Sequence, residues 1–176
     1  KKISNNLVNK ETFGLPDDKF IFSCFNSHQK INPIIFNAWI YILNNTKNSV
    51  LWLLNDNKFS QNNLKLLIEK NGIDPNRLIF AENLKIEDHL QRIKFADLFL
   101  DTFPYNAHTT CSDALRVGIP VLTLKGNSFA SRVAASLLNT INLNELIVTN
   151  IEDYKKLAIK IYNEKNYLDE IKNKIA

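Results

Sequence analysis

Three short stretches carry residues able to act on a phosphate or a nucleoside. The segment Asp101–Thr110 ends in His108-Thr109-Thr110, with Asp113 three residues further on. Hydroxyl residues where a loop enters a helix either cap that helix or, with its free N–H groups and positive dipole end, hold an anion. The Thr110-x-x-Asp113 spacing also fits a capping box, so both readings stand at this point. Lys30 lies at a second loop-to-helix junction, where a cation would meet phosphate charge or simply face solvent. His89 and Arg92 are three apart, hence on one helix face, suited to a base or ribose or to an ordinary surface pair. Neither a Gly-x-Gly-x-x-Gly fingerprint nor a Gly-x-x-x-x-Gly-Lys-Ser/Thr loop is present, so any phosphate must be held by lysine, hydroxyls and helix starts.

These stretches need a scaffold that brings strand ends together. Phe20–Phe25, Val50–Leu54, Arg77–Ala81, Asp97–Asp101, Ile119–Leu124 and Leu146–Val148 are short apolar runs of strand length. Helical patterns lie between them: from Pro33 to Asn45, about Ser60 to Lys70 with Gly72 as its cap, Glu87 to Ile93, and Thr110 to Val117 closed by Gly118. Ser131–Leu138 and Ile151–Asn163 follow, with a further helix to the end. Continuous apolar strands imply a sheet covered on both faces, and the alternation predicts a doubly wound, mainly parallel Rossmann-like α/β domain of about six strands. Such a sheet binds ligands at the carboxyl ends of its strands, where Asn26–Lys30, Asn83–Arg92 and Asp101–Asp113 all fall.

Composition narrows the classes. The 176 residues suit one domain; 45% are hydrophobic and 23% charged, so bulk disorder is excluded. Cys24 and Cys111 cannot form a disulfide framework, and no cysteine or histidine spacing suggests a metal site. No apolar run reaches the roughly 18 residues of a membrane helix. The net charge of +4 comes from scattered residues, and only four of the 22 basic ones are arginine: Arg77, Arg92, Arg116 and Arg132. Scattered lysines read as solvated helix faces, not as a nucleic-acid surface. Residues 1–12 read as a linker or the tail of a preceding element, and residues 13–176 as the domain. With Lys at position 1 and no Met, the chain is expected to be an excerpt from a longer protein.

An ordered string of motifs resembles one family. It comprises Phe25-Asn-Ser-His-Gln-Lys-Ile-Asn-Pro33, Ser49-Val-Leu-Trp-Leu-Leu54, Ala96-Asp-Leu-Phe-Leu-Asp-Thr102, Pro104-Tyr-Asn-Ala-His-Thr-Thr110, Gly118-Ile-Pro-Val-Leu-Thr-Leu124 and Phe129-Ala-Ser-Arg-Val-Ala-Ala-Ser-Leu-Leu138. Nearly the whole chain, from about Phe13 to Tyr162, is similar to the C-terminal half of the catalytic region of the O-linked N-acetylglucosamine transferases and SPINDLY-like proteins. The resemblance implies the C-terminal domain of a two-domain GT-B glycosyltransferase. It implies inverting, metal-independent sugar transfer from UDP-GlcNAc to protein Ser or Thr hydroxyls; the alternatives are a related protein transferase with another donor or an Asn acceptor, or a non-catalytic nucleotide-binding or interaction module. The nucleotide sugar is then a substrate and no cofactor is expected. It further implies that Lys30 sits on the diphosphate and is essential, and that His108, Thr109 and Thr110 contact the phosphates. Asp113 would bind ribose, with His89 and Arg92 around the uridine. Ser27 and Lys85 are also expected at the nucleotide sugar, although Ser27 stands where animal members carry Gln and Lys85 is four residues before His89 where the family has a three-residue spacing; Arg116 replaces a Trp. The expected partners are a protein acceptor held by an N-terminal catalytic half and tetratricopeptide repeats, with neither nucleic acid nor membrane involved, and the expected location is cytoplasmic.

Overall fold

The computed structural model describes residues 1–175. The strands are β1 (Phe20–Cys24), β2 (Ser49–Leu54), β3 (Leu78–Ala81), β4 (Leu98–Leu100), β5 (Val121–Leu124) and β6 (Ile147–Val148). They form one six-stranded sheet in the order β3-β2-β1-β4-β5-β6, with every pair parallel. The order reverses between β1 and β4, so the crevice beyond their carboxyl ends is the topological switch point. The strands are apolar on both faces because both faces are covered: Val50, Leu51, Trp52 and Leu53 are all buried.

The helices start and stop for local reasons. In α1 (Pro33–Asn45), Asn32 caps the start by accepting from the Ile35 amide at 3.0 Å, and Pro33 takes the first turn, where no N–H is needed. Asn57 and Asn150 cap α2 (Lys58–Lys70) and α6 (Ile151–Asn163) in the same way. At the end of α2, Gly72 adopts a left-handed φ of 75°, and its amide and that of Ile73 bond the Glu69 and Ile68 carbonyls. Gly118 does the same after α4 (Thr109–Arg116), with φ 86°. The remaining helices are α3 (Ile86–Ile93), α5 (Val133–Thr140) and α7 (Lys165–Ile175).

Two buried networks anchor the sheet to its helices. Trp39 Nε1 on α1 donates to the Tyr154 hydroxyl on α6 at 3.0 Å, and that hydroxyl donates to the Asp101 carbonyl at 2.8 Å. The end of β4 is thus fixed by two helices on one face. At the opposite edge, Arg77 donates to the carbonyls of Leu43, Thr46 and Ser49 at 2.8–2.9 Å. These carbonyls lie at the end of α1 and the turn into β2, where Leu43 also accepts from the Thr46 amide and Thr46 from the Ser49 hydroxyl. Arg77, expected within β3, therefore lies in the preceding turn, because its guanidinium caps the neighbouring helix.

Among the described residues, no helix is long and apolar enough to cross a membrane.

Candidate functional site

The loop after β4 winds around one carboxylate. Asp101 is fully buried and its Oδ1 accepts from the amides of Thr102 at 2.8 Å and Ala107 at 2.6 Å. Its Oδ2 accepts from the Thr123 hydroxyl at 2.7 Å, and Asn26 Nδ2 lies at 3.5 Å from Oδ1. Burial pushes this carboxyl up to about 7 against the opposing pull of those hydrogen bonds. Asn26 and Asn106, both buried, complete the frame. Asn26 Nδ2 donates to the Thr102 hydroxyl at 2.8 Å, while Asn106 Nδ2 donates to the Thr102 carbonyl at 2.8 Å.

This frame carries the groups that chemistry would use. Asn26 Oδ1 accepts from the Thr110 hydroxyl at 2.5 Å, joining the β1 end to the start of α4. Lys30 ends a 3-10 turn, His28–Lys30, that Ser27 caps. Lys30 Nζ donates to the Asn106 carbonyl at 3.1 Å and stands 3.9 Å over the Tyr105 ring. Burial lowers its pKa, with Asp101 acting in the opposite direction.

The start of α4 corrects one expectation. Thr109 and Thr110 do not cap it, and Thr110 and Asp113 do not form a capping box. The N-cap residue is His108, without a side-chain cap bond. Thr110 is instead turned to Asn26, and Asp113 to Lys1. The first helical bond runs from the Ser112 amide to the His108 carbonyl, so the amides of the first turn are the helix's open donors. An uncapped helix start is a better anion cradle than a capped one, because no side-chain oxygen competes for those donors.

Helix α3 supplies the adjoining wall. Arg92 is 1% exposed; its Nε donates to His89 Nδ1 at 3.1 Å, and its Nη1 donates to the Glu82 carbonyl. Its guanidinium also lies over the Phe25 ring, 5.5 Å from the centroid. With Nδ1 accepting, neutral His89 carries its proton on Nε2. Burial, followed by the neighbouring Arg92 charge, lowers the His89 pKa to about 4, so the ring is neutral at physiological pH. Phe25 meets that ring edge-on at 5.1 Å. Arg92, expected to reach a base or ribose, commits Nε and Nη1 to the fold, orients His89, and also lines the adjoining cavity.

A cavity of about 350 Å³ brings together His89, Arg92, Thr109, Thr110 and Asp113, with Phe25 among its apolar walls. Five of the nine expected residues therefore share one space. Lys30 is tied to the same frame through Asn106, and His108 packs between Tyr105 and Phe129 at ring distances of 5.2 and 6.2 Å. Ser27 and Lys85 are not gathered in. Ser27 donates to Asp56 at 3.0 Å, and Lys85 is exposed ahead of α3. A larger cavity of about 480 Å³ beside α5, lined by Lys125, Phe129 and Arg132 among others, contains none of the nine. The smaller one has the stronger claim, because open helix donors, a carboxylate and a neutral imidazole converge there.

The first residues of the segment 1–12, which reads as a linker or the tail of a preceding element, lie against this site. Lys1 Nζ pairs with both Asp113 oxygens at 2.7 and 2.8 Å, the Ser4 amide donates to the Glu87 carbonyl at 3.1 Å, and Asn6 bonds Asp88 at 3.0 Å. Asp101, Asn26 and Asn106 were not selected as site residues from sequence. The signal for them was polarity immediately after buried apolar strands.

The six-stranded parallel sheet, with its ligand crevice at the switch point, is a Rossmann-like α/β domain of the kind found in its GT-B structural neighbours. The model of Glycosyl transferase family 41 matches residues 2–176, and the chain belongs to that family. Over 158 residues it is 37% identical to the probable UDP-N-acetylglucosamine–peptide N-acetylglucosaminyltransferase SEC of Arabidopsis thaliana, covering 89% of this chain and 16% of that protein. It is 34% identical over 169 residues to the UDP-N-acetylglucosamine–peptide N-acetylglucosaminyltransferase of Caenorhabditis elegans, covering 96% of this chain and 15% of that one. A solved structure of a mutant O-GlcNAc transferase from Thermobaculum terrenum superposes with a TM-score of 0.86 at 29% identity, covering 90% of this chain and 31% of its own. The chain thus spans about a sixth of the length of these two curated relatives.

Proposed function

We propose that this chain is the nucleotide-sugar-binding half of an inverting glycosyltransferase that moves N-acetylglucosamine from UDP-GlcNAc to Ser or Thr hydroxyls of proteins. The observation that carries this reading is the uncapped start of α4, set beside the hydroxyls of Thr109 and Thr110 and linked by the Asn26–Asp101–Asn106 frame to the ammonium of Lys30. Relatives named as UDP-N-acetylglucosamine–peptide transferases support the donor and acceptor classes.

During transfer, negative charge grows on the departing diphosphate as the sugar acquires oxocarbenium character. Donors fixed in advance around that charge lower the barrier, because they bind the leaving group better in the transition state than in the ground state. In this reading Lys30 and the α4 amides take that role without a metal. The Thr109 hydroxyl binds the phosphates, joined by that of Thr110 once its proton leaves Asn26 Oδ1; Asp113 takes the ribose, and the Nε2 proton of neutral His89 serves the uridine side. Asp113 must then exchange Lys1 for the ligand. An N-terminal catalytic half closes the cleft, and tetratricopeptide repeats present the protein acceptor.

The test uses the protein with its whole catalytic region. Replacing Lys30→Ala should lower sugar transfer by roughly 10²–10³-fold, the order found when one fixed donor to a developing anion is removed. Near-normal turnover would remove Lys30 from the mechanism. Calorimetry on the 176-residue chain should show weak binding of UDP in preference to GDP and ADP, and no transfer activity. Robust transfer by this chain alone would show that the half-site reading is wrong.

A further inference from the structure

One peptide unit joins the buried carboxylate to the lysine. The N–H of Ala107 donates to Asp101 Oδ1 at 2.6 Å, and the C=O of the same peptide, belonging to Asn106, accepts from Lys30 Nζ at 3.1 Å. The plane of the peptide bond puts these two groups on opposite sides. The result is a chain of carboxylate, amide and ammonium in which each bond polarises the next. The carboxylate draws on the N–H and increases the negative charge on the carbonyl that holds the cation. Asn106 is itself locked, with its amide bonded to the Ala130 carbonyl at 2.9 Å and its side chain to Thr102. The relay therefore has little freedom to slacken.

We propose that Asp101 is a positioning residue for Lys30: through the Asn106–Ala107 peptide it fixes the ammonium at the cleft and favours its protonated form. Its use in sugar transfer rests on the function proposed above, whereas the relay itself does not. Asp101 lies too deep to touch a ligand, at 0% exposure, so its effect must pass through the lysine. The other ionisable neighbours are Cys24 on β1, Cys111 on α4 and Tyr154 on α6. Burial raises all three, leaving them uncharged across the neutral range. Tyr105, beneath the Lys30 ammonium, and His108, at the end of the same loop, are the remaining ionisable side chains.

The test follows Lys30 itself in the 176-residue chain, by NMR of protein carrying lysine labelled with ¹³C at the ε carbon. The signal is assigned by its loss in Lys30→Arg. In Asp101→Asn the Lys30 titration midpoint should fall by about one pH unit, as expected when a nearby opposite charge is lost. The high-pH loss of UDP binding should move down with it. A folded Asp101→Asn protein with an unmoved Lys30 midpoint overturns the proposal.

Wild-type protein supplies a second reading should that variant not fold. The Lys30 signal should show a smaller inflection near pH 7, where Asp101 titrates, and the inflection should persist in His108→Asn. Its absence, or its loss in His108→Asn, overturns the relay. Coupling in a chain that binds no UDP upholds the relay and removes the transferase reading. UDP binding without coupling does the reverse.

Discussion

Asp101→Asn should make the folded chain more stable at pH 8 while weakening its grip on Lys30. The carboxyl is fully buried and burial lifts its pKa from 3.8 to about 7. Between these values the unfolded chain has released the proton and the folded chain has kept it, so stability falls as the pH rises through that window. At about 1.4 kcal/mol per pH unit, the whole span is worth about 4 kcal/mol, and the part lying between pH 5 and pH 8 about 3 kcal/mol. Asparagine carries no such proton and keeps the neutral shape of the protonated acid. Other groups titrate alike in both proteins and cancel to first order. Urea unfolding at the two pH values measures the difference. The lead of Asp101→Asn over wild type should widen by about 3 kcal/mol, or roughly 1.5 M in midpoint at a slope near 2 kcal/mol/M. A gap that stays constant, or one that narrows towards pH 8, would refute a buried Asp101 that keeps its proton in the folded state up to about pH 7 and is ionised above it. The gain in stability at the expense of site geometry is the trade expected of a functional buried charge.

Two further outcomes follow from other parts of the site. His89 has its pKa lowered to about 4 by burial and by Arg92, so the unfolded chain takes up that proton first as the pH falls. The His89 contribution to stability should therefore fall between about pH 6.5 and pH 4, against the opposite trend from Asp101, and His89→Gln should remove about 1–2 kcal/mol of that loss relative to wild type after allowance for the ring's partial exposure. An unchanged acid limb in urea titrations would contradict the neutral imidazole. Gly126 has no room for a side chain: a Cβ there would lie 2.6 Å from Ser131 Oγ and 2.9 Å from the Phe103 ring. Gly126→Ala should cost about 1–3 kcal/mol and lower Tm by roughly 3–10 °C; a Tm equal to wild type in a thermal scan would show that the loop yields freely.

What the sequence determines by itself is the periodic part of the molecule and its punctuation. Uninterrupted apolar runs such as Val50–Leu54 are read correctly as strands buried on both faces, because hydrophobic patterning reports directly on burial. Pro33, Gly72 and Gly118 mark helix ends through φ preferences that belong to the residues themselves. Parallel order and a crevice at the strand ends then follow from connectivity, and the motif string names the family. The tertiary structure alone decides which polar groups near the crevice face a ligand and which hold the frame. Thr110 is spaced as a cap but bonds Asn26, 84 positions away in sequence. Arg92 is spaced as a surface residue beside His89 but is buried, bonded to His89 and to the Glu82 carbonyl at the edge of the cavity. Asp101 has the same composition as any strand-end acid, yet it becomes the centre of the site because donors from β1, β5 and its own loop converge on it. Local pattern encodes φ, ψ and face. A hydrogen bond between distant segments depends on where the packed chain puts both partners, and that is set only when the sheet and its helices close around the carboxylate.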